Sequence, residues 1–155
     1  MGRIRVESEK MVAASPEQVF GVLEDYTRRP ALLPANFSGW RVEGGGHGDG
    51  TVASYRLRVG PRERNYRIRV EVPGTTPARI VERDQESSLV TTWLLEPLSA
   101  QSSTLVRLVT EWDGAGGVGG FFERTFAPGG LRKVQQEMLD CLASVAGGLP
   151  TAAPR

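Results

Sequence analysis

Apolar residues recur along this chain in two rhythms. From Leu131 to Val145 the spacing is three and four: Leu131, Val134, Met138, Leu142 and Val145 share one side, and Arg132, Lys133, Gln136, Glu137 and Asp140 fill the other. That is the period of an amphipathic α-helix, which needs an apolar surface to lie on. Upstream the period is two. Between Thr51 and Val59, Ala53, Tyr55, Leu57 and Val59 alternate with Ser54, Arg56 and Arg58. Between Asn65 and Val72, Tyr66, Ile68, Val70 and Val72 alternate with Arg67, Arg69 and Glu71. Ile4–Val12, Trp40–Glu43, Ala78–Asp84, Leu89–Leu95 and Thr104–Trp112 read as further strands. In the last of these Thr104, Val106, Leu108, Thr110 and Trp112 face one way, and Arg107 and Glu111 the other. Alternation with one charged face predicts an antiparallel sheet, wet on one side and covered on the other.

Turn and cap residues punctuate these segments. Ser15-Pro16-Glu17-Gln18 has the form of a capping box with proline at the first helical position, so a short helix is expected through Val19, Phe20, Val22 and Leu23, ending near Asp25-Tyr26. Pro30 and Pro34 bracket a second short helix or turn around Ala31, Leu32 and Leu33. Gly44–Gly50 predicts a flexible polar loop, and Gly60-Pro61 and Pro73-Gly74 predict turns. Val118–Phe126 reads as a short helix carrying Phe121, Phe122 and Phe126, with Pro128-Gly129-Gly130 as a break before the long helix. The division expected is one domain over residues 1–147 and a Gly/Pro/Ala-rich tail over 148–155. The order is strand, two short helices, five or six consecutive strands, long helix. It indicates an α+β fold with the helix on one face of the sheet.

Composition changes this picture little. A length of 155 residues suits one domain with a real core, and a formal net charge of +1 supplies no overall field for nucleic acid or an anionic membrane. Cys141 is the single cysteine, so no internal disulfide can form, and it is expected as a small buried side chain. No secretory signal is visible and no stretch approaches the ~20 apolar residues of a membrane span. A soluble, cytoplasmic chain without stable membrane insertion is the expectation; its oligomeric state is not legible. His47, the single histidine, sits in the glycine-rich loop and is expected in solvent. No His/Cys/Asp/Glu cluster has metal-ligand spacing. Arg56, Arg58, Arg67 and Arg69 form a basic stripe on the outer face, expected to pair across strands with Glu63, Glu71 and Glu111.

The inward faces mix apolar residues with hydroxyls and indoles: Tyr55, Tyr66, Thr91, Trp93, Thr110 and Trp112. Apolar walls with a few polar groups are how small-molecule pockets are built. If Arg79 and Arg83 join the charged face, parity turns Glu82 inward; a β-bulge would turn it out. A carboxylate in an apolar cavity has a raised pKa and could abstract a proton α to a carbonyl. All the strand arginines fall on the outer face by the same parity.

Several stretches carry a family resemblance: Ser15-Pro16-Glu17-Gln18-Val19-Phe20 followed by Asp25-Tyr26 and Pro30; Gly48-Asp49-Gly50-Thr51; Ser103-Thr104-Leu105-Val106 closing at Glu111-Trp112; and the glycine-rich loop into Phe121-Phe122-Glu123-Arg124. From Ile4 to Ala146 the chain resembles the START/Bet v 1-like (SRPBCC) superfamily of helix-grip folds, and within it the polyketide cyclase/dehydrase and lipid-transport group. The resemblance implies a curved antiparallel sheet of six or seven strands around the C-terminal helix, with an elongated cavity between them. It implies a hydrophobic guest (polyketide-like, aromatic or lipid) and no cofactor. The residues expected to line the cavity are Tyr55, Leu57, Tyr66, Ile68, Thr91, Trp93, Leu108, Thr110, Trp112, Phe122, Phe126, Leu131, Gln135 and Met138, with Glu82 as a catalytic base. The superfamily holds enzymes, carriers and protein-interaction modules alike, so a non-catalytic lipid carrier or interaction module stands as the alternative.

Overall fold

The computed structural model describes residues 3–74, 79–98, 102–113 and 128–148. The elements are β1 (Arg3–Val12), α1 (Pro16–Leu23), a 3-10 turn η1 (Arg29–Leu32), β2 (Phe37–Gly44), β3 (Val52–Val59), β4 (Arg62–Glu71), β5 (Arg79–Asp84), β6 (Val90–Pro97), β7 (Thr104–Asp113) and α2 (Pro128–Gly147). The strands form one sheet in the order β1-β7-β6-β5-β4-β3-β2, every pair antiparallel. β1 and β2 are consecutive in the chain yet stand at opposite edges. The segment joining them, α1 and η1, crosses between the edges and touches β6 and α2 on the way.

Local chemistry accounts for most boundaries. The Ser15 hydroxyl accepts the Gln18 N–H at 3.2 Å and the Gln18 side chain accepts the Ser15 N–H at 3.0 Å, the reciprocal capping box that starts α1. Pro30 lies inside η1 instead of bracketing it, because a proline suits the first turn, whose N–H groups have no partner within the helix. For the same reason Pro128-Gly129-Gly130 do not break the long helix but form its first turn. Its buried face is Leu131, Val134, Gln135, Met138, Leu139, Leu142 and Ala146, while Val145 is only half-buried. Burying each large apolar side chain there contributes about 1.5–3 kcal/mol.

α2 packs chiefly along β1 and touches β3 and β7 only lightly. A straight helix on a twisted, curved sheet meets one edge and leaves the other. The space that remains lies against β3, β4, β5 and β7, where the inward residues Leu57, Tyr66, Ile68, Val70, Ile80, Leu108 and Trp112 form the core. The loop between β2 and β3, expected to be flexible, is pinned. Gly46 O accepts the Tyr26 N–H at 2.8 Å, Gly48 N–H donates to Glu24 O at 2.9 Å, and Asp49 accepts the Val72 N–H at 2.9 Å. Among the described residues no helix is long and apolar enough to cross a membrane.

Candidate functional site

β2 begins at Phe37, three residues before the expected start at Trp40, and carries a bulge. Its register with β3 shifts between Ser38 and Arg41, so that Gly39 and Trp40 together face Tyr55. Gly39 has φ 65°, a conformation open to glycine and strained for other residues. The bulge lets the Trp40 indole reach inward, where its N–H donates to Tyr26 O at 2.9 Å. Trp40 stacks on Tyr26 (6.3 Å between centroids) and on Tyr55 (5.4 Å), and Tyr55 meets Phe37 (5.4 Å) and Tyr66 (5.6 Å). An aromatic wall thus runs from the end of α1 across β2, β3 and β4.

Beside this wall, and sharing Tyr26 with it, stands a buried ionic cluster. β5 pairs with β4 and β6 without a register shift, Glu82 facing Val70 on one side and Thr91 on the other, so the alternation holds and Glu82 points inward. Glu82 is 5% exposed and Arg29 is 2% exposed. Glu82 Oε2 accepts the Tyr26 hydroxyl at 2.6 Å and Arg29 Nη1 at 2.9 Å, and Arg29 Nη2 donates to Leu23 O at 2.7 Å. The guanidinium lies between two rings, 4.2 Å from the Tyr26 centroid and 5.5 Å from that of Trp93. Arg29 Nε has no partner among the described residues. Glu82 Oε1 takes no bond from them either. Burial by itself would lower the Arg29 pKa, but the charge of Glu82, the adjoining Tyr26 and the hydrogen bonds together outweigh it, and the net shift is upward. Burial, reinforced by the Glu82 charge, holds the hydroxyls of Tyr26 and Tyr55 well above the ordinary phenol range.

A third set of polar groups joins the helix to the sheet. Gln135 Nε2 donates to Val6 O at 3.0 Å and to Thr110 Oγ1 at 3.1 Å, its carbonyl accepts the Ser8 hydroxyl at 2.9 Å, and Thr110 and Thr91 lie 3.1 Å apart. A buried amide with its donors and acceptor used costs little and sets how α2 lies on β1 and β7.

Between these three groups lies a cavity. Its volume is about 40 Å³. That is room for a few waters. The expected residues Tyr55, Leu57, Tyr66, Ile68, Glu82, Thr91, Leu108, Thr110, Leu131, Gln135 and Met138 line it. Trp93 and Trp112 do not. Both face inward, but Trp93 is covered by Arg29, and Trp112 sits toward the β1 edge opposite Ile4. Phe122 and Phe126, with the helix expected over Val118–Phe126, lie outside the described residues.

The lining also holds residues the strand pattern did not single out: Arg29, Leu33, Phe37, Trp40, Leu89 and Val134. Parity correctly turns the strand arginines outward, yet the pocket has an arginine, because η1 delivers one from outside the sheet. The one trace in the sequence is an arginine ahead of Pro30-Ala31-Leu32-Leu33 with no acidic residue beside it.

Other candidates fall away from the cavity. His47 is largely exposed, as expected, and its Nε2 lies 3.3 Å from Asp25 Oδ1. The Thr27 hydroxyl, with His47 assisting, holds the Asp25 pKa below its usual value. Cys141 is half-buried, and burial with Asp140 and Glu137 nearby raises its thiol pKa, the opposite of an activated cysteine. Among the described residues no three His, Cys, Asp or Glu side chains are grouped to hold a metal ion.

The comparisons with known proteins agree with this architecture. No curated protein matches the sequence. The solved structures similar to it include the KanY protein (ms6282), 41% identical, with a TM-score of 0.82 over 96% of this chain and 100% of that one. Two others resemble it in fold at lower identity. They are the Zhui aromatase/cyclase from Streptomyces sp. R1128 (19%, TM-score 0.72, 94% of each chain) and norcoclaurine synthase of Thalictrum flavum (18%, TM-score 0.69, 94% of each chain). The profile described as polyketide cyclase / dehydrase and lipid transport matches residues 3–147. With nearly its whole folded length matched, and a seven-stranded sheet gripping a C-terminal helix, this chain belongs to the polyketide cyclase/dehydrase and lipid-transport family of the Bet v 1-like (SRPBCC) fold.

Proposed function

We propose that this protein holds an apolar, ring-bearing or long-chain small molecule between sheet and α2, and directs one polar end of it to Glu82 and Arg29. The observation that carries the reading is the buried Arg29–Glu82 pair, braced by Tyr26, on the wall of a largely apolar cavity. A core that only packs gains little from a buried ion pair, which an apolar set of similar volume often matches or betters in stability. Among the described residues Glu82 Oε1 accepts no hydrogen bond and Arg29 Nε donates none. A guest with a hydroxyl or enol beside a carbonyl complements both.

In the cyclase/dehydrase form of the reading, Glu82 Oε1 takes the proton α to a guest carbonyl. The fixed charge of Arg29 then offsets the negative charge that develops on the enolate, with no cofactor. Thr91, the cross-strand neighbour of Glu82, and Thr110 beside it add hydroxyls along the same face of the sheet. A guest larger than a few waters first displaces lining side chains. Met138 has the rotamer freedom for that, and β2 is an edge strand with a bulge, free on one side to move.

A second reading, binding without turnover, draws on the same geometry: both bonds to Oε2 tie Glu82 into the frame. Native mass spectrometry of freshly purified protein, followed by NMR titration with a hydroxyanthraquinone, a poly-β-ketone surrogate and palmitate, tests both. The expected result is saturable shifts at Tyr55, Ile68, Leu108 and Met138, with turnover of the polyketone lost in Glu82→Gln while its binding stays within a few-fold. Binding with no turnover by the wild type selects the carrier. Shifts from none of the three, and no co-purified guest, would sink the proposal.

A further inference from the structure

The outward face of the sheet is not uniform in charge. On the β1/β7 side every carboxylate is already matched: Arg5 and Arg107 hold Glu7, Arg107 reaches Glu9 and Glu96, and Arg3 and Arg5 hold Glu111 and Asp113. Across β2–β5 the arginines outnumber their partners. Arg56 pairs with Glu63, Arg67 with Glu43 and Arg83 with Glu71. The stripe is therefore compensated only in part: Glu63 pairs with Arg56 as expected, Arg67 takes Glu43, and Glu71 and Glu111 pair with arginines outside the stripe. Arg41, Arg58, Arg69 and Arg79 are exposed and carry no ion pair among the described residues. Arg69 also stands directly opposite Arg83 in the β4–β5 register, where a sheet built only for stability would set a carboxylate.

A recess of about 420 Å³ opens in this half of the face. The small residues Ser38, Gly39 and Ser54 leave it hollow, and Arg56 and Asn65 border it. Arg41 and Arg67 are the register partners of Ser54 on either side. The recess is distinct from the internal cavity; Tyr55 and Tyr66 are the residues common to the two.

We propose that the outward face of β2–β5 is a docking surface for an acidic segment of another protein, which lies over the recess and whose Asp and Glu side chains pair with Arg41, Arg58 and Arg69 on the face around it. Charge complementarity selects the occupant. A second copy docked through its own sheet face does not fit, because the carboxylates there are engaged. A nucleic acid fits poorly, because Glu43, Glu63 and Glu71 interrupt the arginines and would repel a continuous phosphate backbone, and the chain's net charge of +1 adds no long-range attraction. A protein surface can place its carboxylates between those glutamates.

The test uses the full chain and a labelled poly-L-glutamate peptide, read by fluorescence anisotropy at low and physiological salt and by amide shift mapping. The expected result is salt-sensitive binding, with shifts confined to outward positions of β2–β5. Arg58→Ala/Arg69→Ala should weaken it about fivefold or more, while the charge-matched Arg132→Ala/Lys133→Ala on α2 should change it less than twofold. Unaltered melting of both variants separates lost contact from lost fold. Equal weakening by the two double variants, shifts spread over the surface, or tighter binding of a single-stranded oligonucleotide through the same arginines would each overturn the proposal.

Discussion

Arg29 shows how much one side chain can decide. It comes from a short turn, yet it bonds a strand carboxylate and a helix-end carbonyl and fills the space between two aromatic rings. Three elements therefore meet on one guanidinium. Removing one partner of such a pair leaves a charge buried without compensation, at a cost of about 3–5 kcal/mol, whereas removing both leaves only the packing defect. Arg29→Met should lower stability by that amount in urea unfolding, and Arg29→Met/Glu82→Gln should recover a measurable part of it. A double variant whose loss is the sum of the two single losses would mean the pair is not coupled. Arg29→Lys is not a mild change here, since an ammonium cannot serve Glu82 and Leu23 O in the same planar fork.

Among the elements, α2 and the β2 bulge do most to shape the cavity. α2 starts hard against the β3–β4 hairpin: a Cβ on Gly130 would lie 2.8 Å from Val59 Cγ1. A methyl there meets the Val59 side chain below contact distance, so either that side chain or the first turn of the helix has to shift. Gly21 in α1 is the counter-case, for its Cβ would meet nothing within 4 Å. Gly21→Ala is therefore expected to stabilise by about 0.5–1 kcal/mol through helix propensity alone. Gly130→Ala should lose that gain and lower the melting temperature. Equal stabilisation by both in thermal unfolding would show that the contact at Gly130 relaxes freely. The long helix and the alternating strands were legible because their periods are set by local geometry. The bulge at Gly39-Trp40 was not, since it depends on which strand β2 pairs with and on where Trp40 finds its acceptor.

For the molecule as a whole, burial of polar groups ties stability to pH on the alkaline side. The chain has three tyrosines. Two of them, Tyr26 and Tyr55, have folded-state pKa values raised by burial and then by the Glu82 charge. A group whose folded pKa is raised contributes stability that is present below its unfolded pKa, near 10 for tyrosine, and lost as pH rises toward the folded value. Absorbance at 295 nm should therefore show these two ionising together with loss of near-ultraviolet dichroism, in one steep step well above pH 10. Smooth ionisation of all three near pH 10 with the fold intact would contradict the burial on which the cavity wall rests.

The α+β class and the inward direction of Tyr55, Leu57, Tyr66, Ile68, Leu108 and Thr110 could be read from the chain, because periodicity and capping act over a few residues and survive without knowledge of the partner. The family and its sheet gripping a terminal helix were reached through the resemblance in local patterns. What needed the folded molecule is that Arg29 completes the site, that Trp93 and Trp112 stay off the cavity wall, and that the glycine loop is pinned. These depend on contacts between residues far apart in the chain, such as the 53 positions between Arg29 and Glu82. Strand parity states which way a side chain points. It is silent on what crosses above it, and here the crossing segment, α1 and η1, brought the charge that faces Glu82.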